Sequence, residues 1–400
     1  MATISSENTF FNSPQNTAPA FLKQKMQPLR ENERVLVVIQ LNGGNDGLNT
    51  IVPFQDDLYY KNRPNLSLAK KELIALDTYN ALHPALSNLQ KYYHEGELSV
   101  IHSVGYPNPN RSHFRSMDIY HSAAPQSYEN TGWVGRYIDN FCMPEPIPTA
   151  IEMSNVPSLV MKGNEQNGIS FEDPRLLEKF FESPASQNLL QKAERFDHLD
   201  NQNLAFLYKT LNVGAESGNY INEKLNAKKL ACPFPSTELG KDLKTIAEMM
   251  ASGLETKIYY TSLGSFDTHA LQLNTHQKLL QQFAEGVDAF IQCLKKQALW
   301  GKTSILVFSE FGRRVAENAG KGTDHGVGNF MLVFSKHLAK AGFYNAQPSL
   351  QNLLGGDLMW KIDFRQVYTA ILEDWLGVSS EKIIVPAVGK IPLFAGKQVV

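Results

Sequence analysis

The chain has 400 residues, of which 42% are hydrophobic and 20% are charged, and its formal net charge at pH 7 is −2. These values are ordinary for a globular protein and leave ample apolar material for a core. No basic block is present, which argues against nucleic acid as a partner, and no apolar run reaches the length that spans a membrane. The three cysteines, Cys142, Cys232 and Cys293, are odd in number and far apart, so their spacing predicts neither a zinc knuckle nor a disulfide framework.

Residues 1–31 are polar and rich in Ser, Asn, Gln and Pro, which predicts a flexible arm ahead of a single domain over residues 32–400. The arm has no charged segment followed by an apolar one, so it does not resemble a secretory signal. Taken literally, this start predicts a cytoplasmic protein. Taken as the start of a trimmed chain, it is equally compatible with export.

Predicted strands and helices alternate along the remainder of the chain. Continuous apolar runs predict strands over residues 34–41, 98–104, 257–263, 304–308 and 330–335. Apolar residues at helical spacing predict helices over residues 82–93, 112–120, 236–251, 276–295 and 364–376. This alternation predicts an α/β fold with a doubly wound, mostly parallel central sheet and helices on both faces. Residues 144–250 begin with scattered prolines and continue with a helical pattern, so we expect a mainly helical insertion or cap on that sheet.

Several of the predicted strands stop at side chains that can bind metal. Asp46 follows the first strand in a glycine-rich turn, Asp267 and His269 follow the third, and Glu310 follows the fourth. Because the carboxyl ends of parallel strands share one edge of a sheet, we expect these side chains to gather there. Carboxylates and imidazoles are common metal ligands, so the pattern suggests a metal-dependent hydrolase.

Each of these residues also has a purely structural interpretation. Asp46 could cap the amides of its turn, and Asp267 and His269 could belong to an ordinary polar loop. Glu310 follows a run of apolar residues and is costly to bury alone, so it requires either a metal ion or an ion pair with Arg313.

Two glycine-rich segments add to the pattern. Asp324 and His325 lie in a loop whose small neighbours allow dense coordination, and the aspartate could orient the imidazole from behind. Gly43, Gly44 and Gly47 predict a tight turn in which the backbone approaches another group closely, and a substrate oxyanion is one candidate for that group.

Arg111, Ser112 and His113 lie at the start of a predicted helix. A serine there is at the positive end of the helix dipole, which favours an alkoxide or a bound phosphate. Arg111 adds a guanidinium that can bind an oxyanion in bidentate geometry. The simpler alternative is that Ser112 only caps the helix. His113 could be a ligand, a base or a packed surface histidine, and the sequence does not separate these roles.

Eight motifs, taken in this order, resemble one family. They cover residues 42–49, 82–84, 105–107, 110–114, 131–137, 267–269, 309–313 and 322–326. On these motifs the chain resembles the DUF1501 family, which is grouped with the alkaline phosphatase and sulfatase superfamily. The resemblance extends over residues 34–378 and implies an alkaline phosphatase-like fold and a site, but no particular substrate.

The resemblance carries the superfamily's site onto this chain residue by residue. The residues that match its metal ligands and its nucleophile are Asp46, Ser112, Asp267, His269 and His325. Glu310 and Phe311 stand where the superfamily has an adjacent Asp-His pair, and a phenylalanine cannot bind metal. The spacing of Asp267 and His269 is also shorter than in the superfamily. The resemblance therefore implies one metal ion, or one tight and one weak site, rather than a matched pair.

The function implied by the resemblance is a metal-dependent hydrolase of a phosphate or sulfate ester. Ser112 would be the nucleophile, with Arg111 and His113 beside it, and the metal would act as a Lewis acid. The candidate metal ligands are Asp46, Asp267, His269, Glu310, Asp324 and His325. This mixture of ligands favours zinc or manganese, as one or two ions.

Two other functions fit the same residues. A non-catalytic, metal-stabilised binding protein would account for Phe311 and for the short Asp-x-His spacing, and a phosphomutase-like isomerase is a third hypothesis. As a substrate we expect a small-molecule or glycan ester, whereas the oligomeric state is not predicted. Because members of the family commonly carry an export signal, the resemblance also implies a periplasmic or extracellular protein.

Overall fold

A nine-stranded sheet forms the centre of the protein, and helices pack on both of its faces. The computed structural model describes residues 34–141, 143, 146–193, 202–227 and 229–395. The predicted arm over residues 1–31 and Cys142 both lie outside these ranges.

The secondary structure of the described residues follows the alternation predicted from the sequence. The strands are β1 Val35–Leu41, β2 Ile51–Val52, β3 Ile74–Ala75, β4 Ala81–Leu82, β5 Leu98–Gly105, β6 Ala150–Met153, β7 Ile169–Phe171, β8 Ile258–Leu263, β9 Thr303–Phe308, β10 Asn329–Ser335, β11 Gly342–Phe343, β12 Leu353–Leu354, β13 Asp357–Leu358 and β14 Ile362–Asp363. The α-helices are α1 Asp57–Asn62, α2 Gln90–His94, α3 His113–Ser122, α4 Trp133–Phe141, α5 Pro174–Glu182, α6 Pro184–Ala193, α7 Gln202–Ala227, α8 Glu238–Ala251, α9 Gln272–Lys296 and α10 Phe364–Ala370. A π-helical turn over Ile371–Trp375 continues α10.

The strand order of the central sheet places β1 between β8 and β9. The order is β11-β5-β10-β9-β1-β8-β6-β7, and β14 pairs with β5 off this path. β1 is parallel to both neighbours, with Ile39 opposite Thr261 on one side and Val307 on the other. Among the described strands of this sheet, β10 alone runs antiparallel to its neighbours, β5 and β9. The predicted α/β fold with a mostly parallel sheet is therefore confirmed.

The side chains of β1 alternate between two cores. Val37 and Ile39 face the core that includes α8 and α9, whereas Leu36 and Val38 face the core that includes α3, α4 and α10. Successive side chains of a strand point to opposite faces of a sheet. A strand that is buried on both faces therefore has a continuous apolar run, which is the pattern that predicted it.

Helix boundaries differ more from the predictions than strand boundaries do. α9 begins at Gln272, one turn before the predicted start. Residues 82–93, predicted as one helix, instead pass from β4 through a 3₁₀ helix over Pro84–Leu89 into α2. Pro84 restricts His83 to an extended conformation, and the ring Nδ1 of His83 accepts a hydrogen bond from the Ala85 N–H at 3.0 Å. This local turn prevents a continuous helix.

The segment over residues 144–250 contributes strands as well as helices. β6 and β7 extend the central sheet beside β8, with Ile151 opposite Tyr259, and the helices α5 to α8 follow them. No helix among the described residues is long and apolar enough to cross a membrane.

Cys232 and Cys293 form a disulfide, which the spacing of the three cysteines did not predict. Their Cα atoms are 5.7 Å apart although 61 residues separate them in the sequence. Cys293 lies in α9, and Cys232 lies in the segment that leads to α8, the helix that packs beside α9 in the same core. A bridge between segments that meet only through tertiary packing leaves no spacing motif in the sequence.

The turn after β1 brings the backbone close to two other parts of the chain, residues 266–267 and Phe311. Gly43 and Gly44 have φ values of +115° and +74°. A Cβ atom at Gly43 would lie 2.5 Å from the backbone nitrogen of Asp267, and one at Gly44 would overlap the ring of Phe311. The predicted close approach therefore occurs, and its partners are the backbone of Phe266 and Asp267 and the ring of Phe311.

Substitution of Gly44 by alanine is expected to lower the free energy of unfolding by at least about 2 kcal/mol, because a left-handed alanine is strained and the Phe311 ring must also move. Gly253→Ala is the matched control. Gly253 has a φ of +80° with nothing within 4 Å of its Cβ position, so only the conformational cost of about 1 kcal/mol remains. Urea unfolding measures both losses, and equal losses would contradict the overlap with Phe311.

Candidate metal centre

The loops that follow β1, β8 and β9 meet at one edge of the sheet. These strands are parallel neighbours, so their carboxyl ends lie side by side. β10 returns antiparallel to β9, which keeps the loop over residues 309–328 at this edge. β5 runs in the same direction as β9, and the chain after it leads to α3. The fold therefore delivers the predicted site residues to the same end of the sheet.

Three side chains at this edge form a group that could hold a metal ion. They are His113 at the start of α3, Asp267 after β8 and His325 before β10, and their potential ligand atoms lie within 4.8 Å of one another. His325 Nε2 is 3.1 Å from Asp267 Oδ1, and His113 Nε2 is 3.5 Å from Asp267 Oδ2. His269 adjoins the group, because its Nε2 is 3.0 Å from Asp267 Oδ1 and 2.9 Å from His325 Nε2.

The second ring nitrogen of each of these histidines has a partner that orients the ring. The contacts are His113 Nδ1 to Glu310 Oε1 at 2.8 Å, His269 Nδ1 to Asp324 Oδ1 at 3.3 Å and His325 Nδ1 to the Arg111 carbonyl at 2.7 Å. An acceptor beside Nδ1 fixes the proton there and leaves Nε2 with a lone pair for a cation. All three Nε2 atoms then face the same carboxylate.

These distances fit a single divalent cation. Tetrahedral zinc with ligand bonds of about 2.0–2.1 Å holds its ligand atoms about 3.3 Å apart. The four contacts described above span 2.9 to 3.5 Å, and the ligand atoms of His113, Asp267 and His325 all lie within 4.8 Å of one another. His113 Nε2 is buried and has no hydrogen-bond partner among the described residues. The facing nitrogens of His269 and His325 require a shared proton or a cation between them.

The charges around the group keep its carboxylate ionised. Burial alone would raise the pKa of Asp267, but the hydrogen bond and the charge of Arg313, together with the contact to His325, outweigh it and lower the pKa to about 2. The hydrogen bond with Glu310 raises the pKa of His113 in spite of partial burial. A carboxylate behind an imidazole also makes that imidazole a better metal ligand.

Glu310 and Arg313 have separate partners, so the alternative of a Glu310–Arg313 pair is wrong. Glu310 is fully buried behind the His113 ring, where its Oε1 also accepts a hydrogen bond from the Gly43 N–H at 2.8 Å. Arg313 is also buried, and its Nη2 donates to Asp267 Oδ1 at 2.7 Å. The loop between them is not helical, so the two side chains diverge. Each one supports a different member of the group.

Asp46 lies outside the group, in a buried network of its own. Its Oδ2 is 2.6 Å from Arg63 Nη1 and 2.5 Å from Gln272 Nε2. Burial would raise the pKa of Asp46, but the charge and the hydrogen bond of Arg63 outweigh it and lower that pKa. Gln272 Oε1 accepts hydrogen bonds from Thr268 at 3.0 Å and Thr323 at 2.7 Å. Each threonine directly precedes a residue of the site, so Asp46 supports the loops that carry the histidines.

Phe311 closes one side of the group. Its ring is buried, and the ring centroid lies 4.8 Å from that of His113 and 4.7 Å from that of His325. The residue offers no ligand atom, and its packing restricts the orientation of both imidazoles.

Ser112 precedes α3 and is exposed. Within the described part of the chain its side chain makes no capping hydrogen bond, and Asn110 Oδ1 instead accepts from the Ser112 N–H at 2.7 Å. The simple capping role is therefore not fulfilled by this hydroxyl. The Arg111 guanidinium is bound to Asp357, while the Arg111 carbonyl holds His325.

Three supporting residues escaped the sequence analysis, namely Arg63, Gln272 and Asp357. A buried Asp46 requires a counter-charge, which is the signal that could have led to Arg63. The choice among the cations of the chain depends on tertiary contacts that the sequence pattern does not encode.

Asp46→Asn is expected to lower the free energy of unfolding by about 3–5 kcal/mol, because it leaves the fully buried Arg63 without its counter-charge. Glu248→Gln is the control, since it removes an i,i+4 pair with the exposed Lys244 that contributes about 0.5 kcal/mol or less. Chemical unfolding of both variants provides the comparison. A loss below about 1 kcal/mol in Asp46→Asn would contradict the supporting role of this network.

Comparisons with known proteins place the chain in a family. The model described as "Protein of unknown function (DUF1501)" matches residues 99–335, more than half of the chain. Similar solved structures include the PsFucS1 sulfatase from Pseudoalteromonas sp., at 10% identity over 87% of this chain and 68% of that chain with a TM-score of 0.40. A protein in the alkaline phosphatase superfamily from Vibrio parahaemolyticus matches at 10% identity over 90% of this chain and 70% of that chain, with a TM-score of 0.38.

The C-terminal periplasmic domain of EcEptC from Escherichia coli, in complex with Zn, matches at 10% identity over 76% of this chain and 74% of that chain, with a TM-score of 0.37. No curated protein matches the chain. Because the family model matches more than half of the chain, the chain belongs to the DUF1501 family.

Proposed function

We propose that the protein is a metal-dependent hydrolase of phosphate or sulfate esters. The observation that carries the proposal is the convergence of three imidazole Nε2 atoms on the Asp267 carboxylate, each with its Nδ1 atom held by an acceptor. Histidines that only pack against each other do not need an acceptor beside every Nδ1 atom. Histidines that bind a metal through Nε2 almost always have such an acceptor, which orients the ring.

In this proposal the residues that hold the metal are His113, Asp267, His269 and His325. Three imidazoles and one carboxylate suit zinc or manganese. The bound cation would supply a Lewis acid for the oxygens of the ester group. Glu310 and Asp324 orient imidazoles, and Asp46 supports the loops. We therefore propose one cation, because Phe311 contributes no ligand and Arg63 already neutralises Asp46.

Ser112 is the proposed nucleophile, because its exposed hydroxyl directly precedes His113 and is not used as a cap. Its oxygen would form a bond to phosphorus or sulfur and lose its proton to solvent, and the ester oxygen would leave with the bonding pair and take up a proton from solvent. One water would then attack the phosphorus or sulfur, release inorganic phosphate or sulfate and return a proton to the serine oxygen. The net reaction consumes one water for each ester.

A metal-stabilised binding protein is the second candidate. Phe311 supports it, since a ring that fills one side of the site leaves little room for a second cation. Phe114, next to His113, has a side chain that is 85% exposed and could contact a bound ligand.

An exported protein is part of the proposal. The Cys232–Cys293 disulfide supports a location in an oxidising compartment, because cytoplasmic thiols are kept reduced.

Protein purified without chelator is expected to contain about one equivalent of zinc or manganese, and His325→Ala is expected to lose most of it. Elemental mass spectrometry measures the content. His94→Ala is the matched control, because His94 is an exposed histidine on α2. Two equivalents would return Asp46 and Glu310 to the set of ligands. Absence of metal from the wild-type protein would remove the basis of the proposal.

Ser112→Ala is expected to reduce hydrolysis of p-nitrophenyl phosphate or p-nitrophenyl sulfate by about 10³-fold or more, with unchanged metal content. Ser127→Ala, at an exposed serine in the loop after α3, serves as the control. Full activity in the metal-loaded Ser112→Ala variant would show that Ser112 is not the nucleophile. A wild-type protein that binds metal and cleaves neither ester would favour the binding protein.

A further inference from the structure

Two arginines share one buried carboxylate beside the candidate metal centre. The side chain of Asp357 is fully buried, and its Oδ2 accepts a hydrogen bond from Arg111 Nε at 3.0 Å as well as a closer one from Arg111 Nη2. Its Oδ1 lies 3.6 Å from Arg314 Nε. Oδ2 is therefore hydrogen-bonded to one guanidinium, whereas Oδ1 has no hydrogen bond and faces the other at ion-pair distance, so the two guanidinium groups are neighbours.

Both guanidinium groups remain accessible to solvent. The side chain of Arg111 is 44% exposed and that of Arg314 is 40% exposed. Apart from Asp357, neither guanidinium has a hydrogen-bond or ion-pair partner within the described ranges of the chain. Each group therefore has N–H donors that a ligand can reach.

The backbones of both arginines are tied to segments that carry the site. The Arg111 carbonyl accepts a hydrogen bond from His325 Nδ1 at 2.7 Å. The Arg314 N–H donates to the Asp324 carbonyl at 3.0 Å, and the preceding residue, Arg313, pairs with His325 in a β-bridge. The guanidinium groups of Arg111 and Arg314 are therefore carried by backbone segments that are hydrogen-bonded to the residues of the proposed metal site, His325 and its neighbour Asp324.

The charges of this cluster leave a surplus of one positive charge. Two guanidinium groups face the single carboxylate of Asp357. The nearby carboxylate of Asp324 accepts a hydrogen bond from Asn318 and contacts His269, and the charge of Arg314 also contributes to lowering its pKa, so Asp324 offsets part of this surplus at Arg314. Two like charges held side by side repel each other, and an anion placed between their free donors relieves that repulsion.

We propose that Arg111 and Arg314, held by Asp357, form an oxyanion subsite that binds a second sulfate or phosphate group of the substrate. This inference rests on the proposed function for the identity of the substrate, which becomes an ester with at least two anionic groups. One group is cleaved at the metal centre, and the other is held by the planar donors of the arginines. An ester with a single anionic group lacks the second set of contacts and binds more weakly.

Sulfate binding tests the subsite independently of catalysis. Sodium sulfate is titrated calorimetrically, at low ionic strength, into the wild-type protein before and after treatment with chelator. Removal of the metal isolates the contribution of the arginines. Arg314→Gln is expected to weaken sulfate binding by about tenfold or more in both states, because it removes a charged donor. Arg314→Lys keeps the charge but not the planar guanidinium, so its sulfate affinity is expected to lie between those of the wild type and Arg314→Gln.

Arg115→Gln is the matched control. Arg115 belongs to the same stretch of chain, but its guanidinium stacks on Tyr128 with 3.9 Å to the ring centroid and donates to the Ser127 carbonyl. Its sulfate affinity is expected to stay within about twofold of the wild type. If chelated wild-type protein binds no sulfate, or if Arg314→Gln binds it as the wild type does, the subsite is overturned.

The substrate class is tested by comparing an aryl monosulfate with an aryl disulfate. Arg314→Gln is expected to raise KM for the disulfate by about tenfold without changing kcat, and to leave KM for the monosulfate unchanged. Loss of sulfate affinity without this difference in KM would overturn the role in substrate recognition. If the proposed function is wrong, the wild-type protein will contain no metal and will hydrolyse neither ester. The sulfate titration tests the arginines separately, because it depends on neither metal nor hydrolysis.

Discussion

The buried guanidinium of Arg313 joins the segments on which the candidate site depends. Its Nε donates to the Gly44 carbonyl at 2.6 Å, and its Nη1 donates to the Thr323 carbonyl at 2.8 Å. Its Nη2 reaches Asp267 Oδ1 at 2.7 Å and also the carbonyls of Gly43 and Phe266. One side chain thus connects the turn after β1, the end of β8 and the loop before β10. The planar fork of arginine can make this set of contacts, whereas the single ammonium of lysine cannot.

A second buried arginine, Arg63, performs a related task. Arg63 is fully buried, where it compensates the charge of Asp46 and donates to the carbonyl of Val315 at 2.8 Å. Removing charged groups from water is costly unless partners surround them, and both arginines are surrounded by carbonyl and carboxylate oxygens. The candidate site is therefore built on two buried cations, with Gln272 transmitting the position of Asp46 to the threonines beside the histidines.

The strands of the sheet, and the residues that lie near its carboxyl edge, can be predicted from the sequence. The contacts that each of these residues makes in the candidate site are much harder to predict. β1 and β9 are predictable because burial on both faces requires a continuous apolar run. Asp267 and His325 are predictable because they follow or precede such strands. The position of Glu310 behind His113 depends on a contact across 197 residues of sequence, which no local pattern encodes. The same reason applies to the disulfide and to the ion pair of Asp46.

The ligands of the proposed site come from distant parts of the chain, and this has a consequence for how the protein folds. Among the proposed ligands, His113 and Asp267 lie on segments that meet only after β5, β8 and β9 have been assembled into one sheet. Such contacts of high sequence separation form late, because the entropy of closing long loops opposes them. A cation therefore finds at most the short Asp267–His269 segment in the unfolded chain. Metal binding would follow the formation of the sheet and would stabilise the native state by mass action, unlike a zinc finger, in which the metal directs folding.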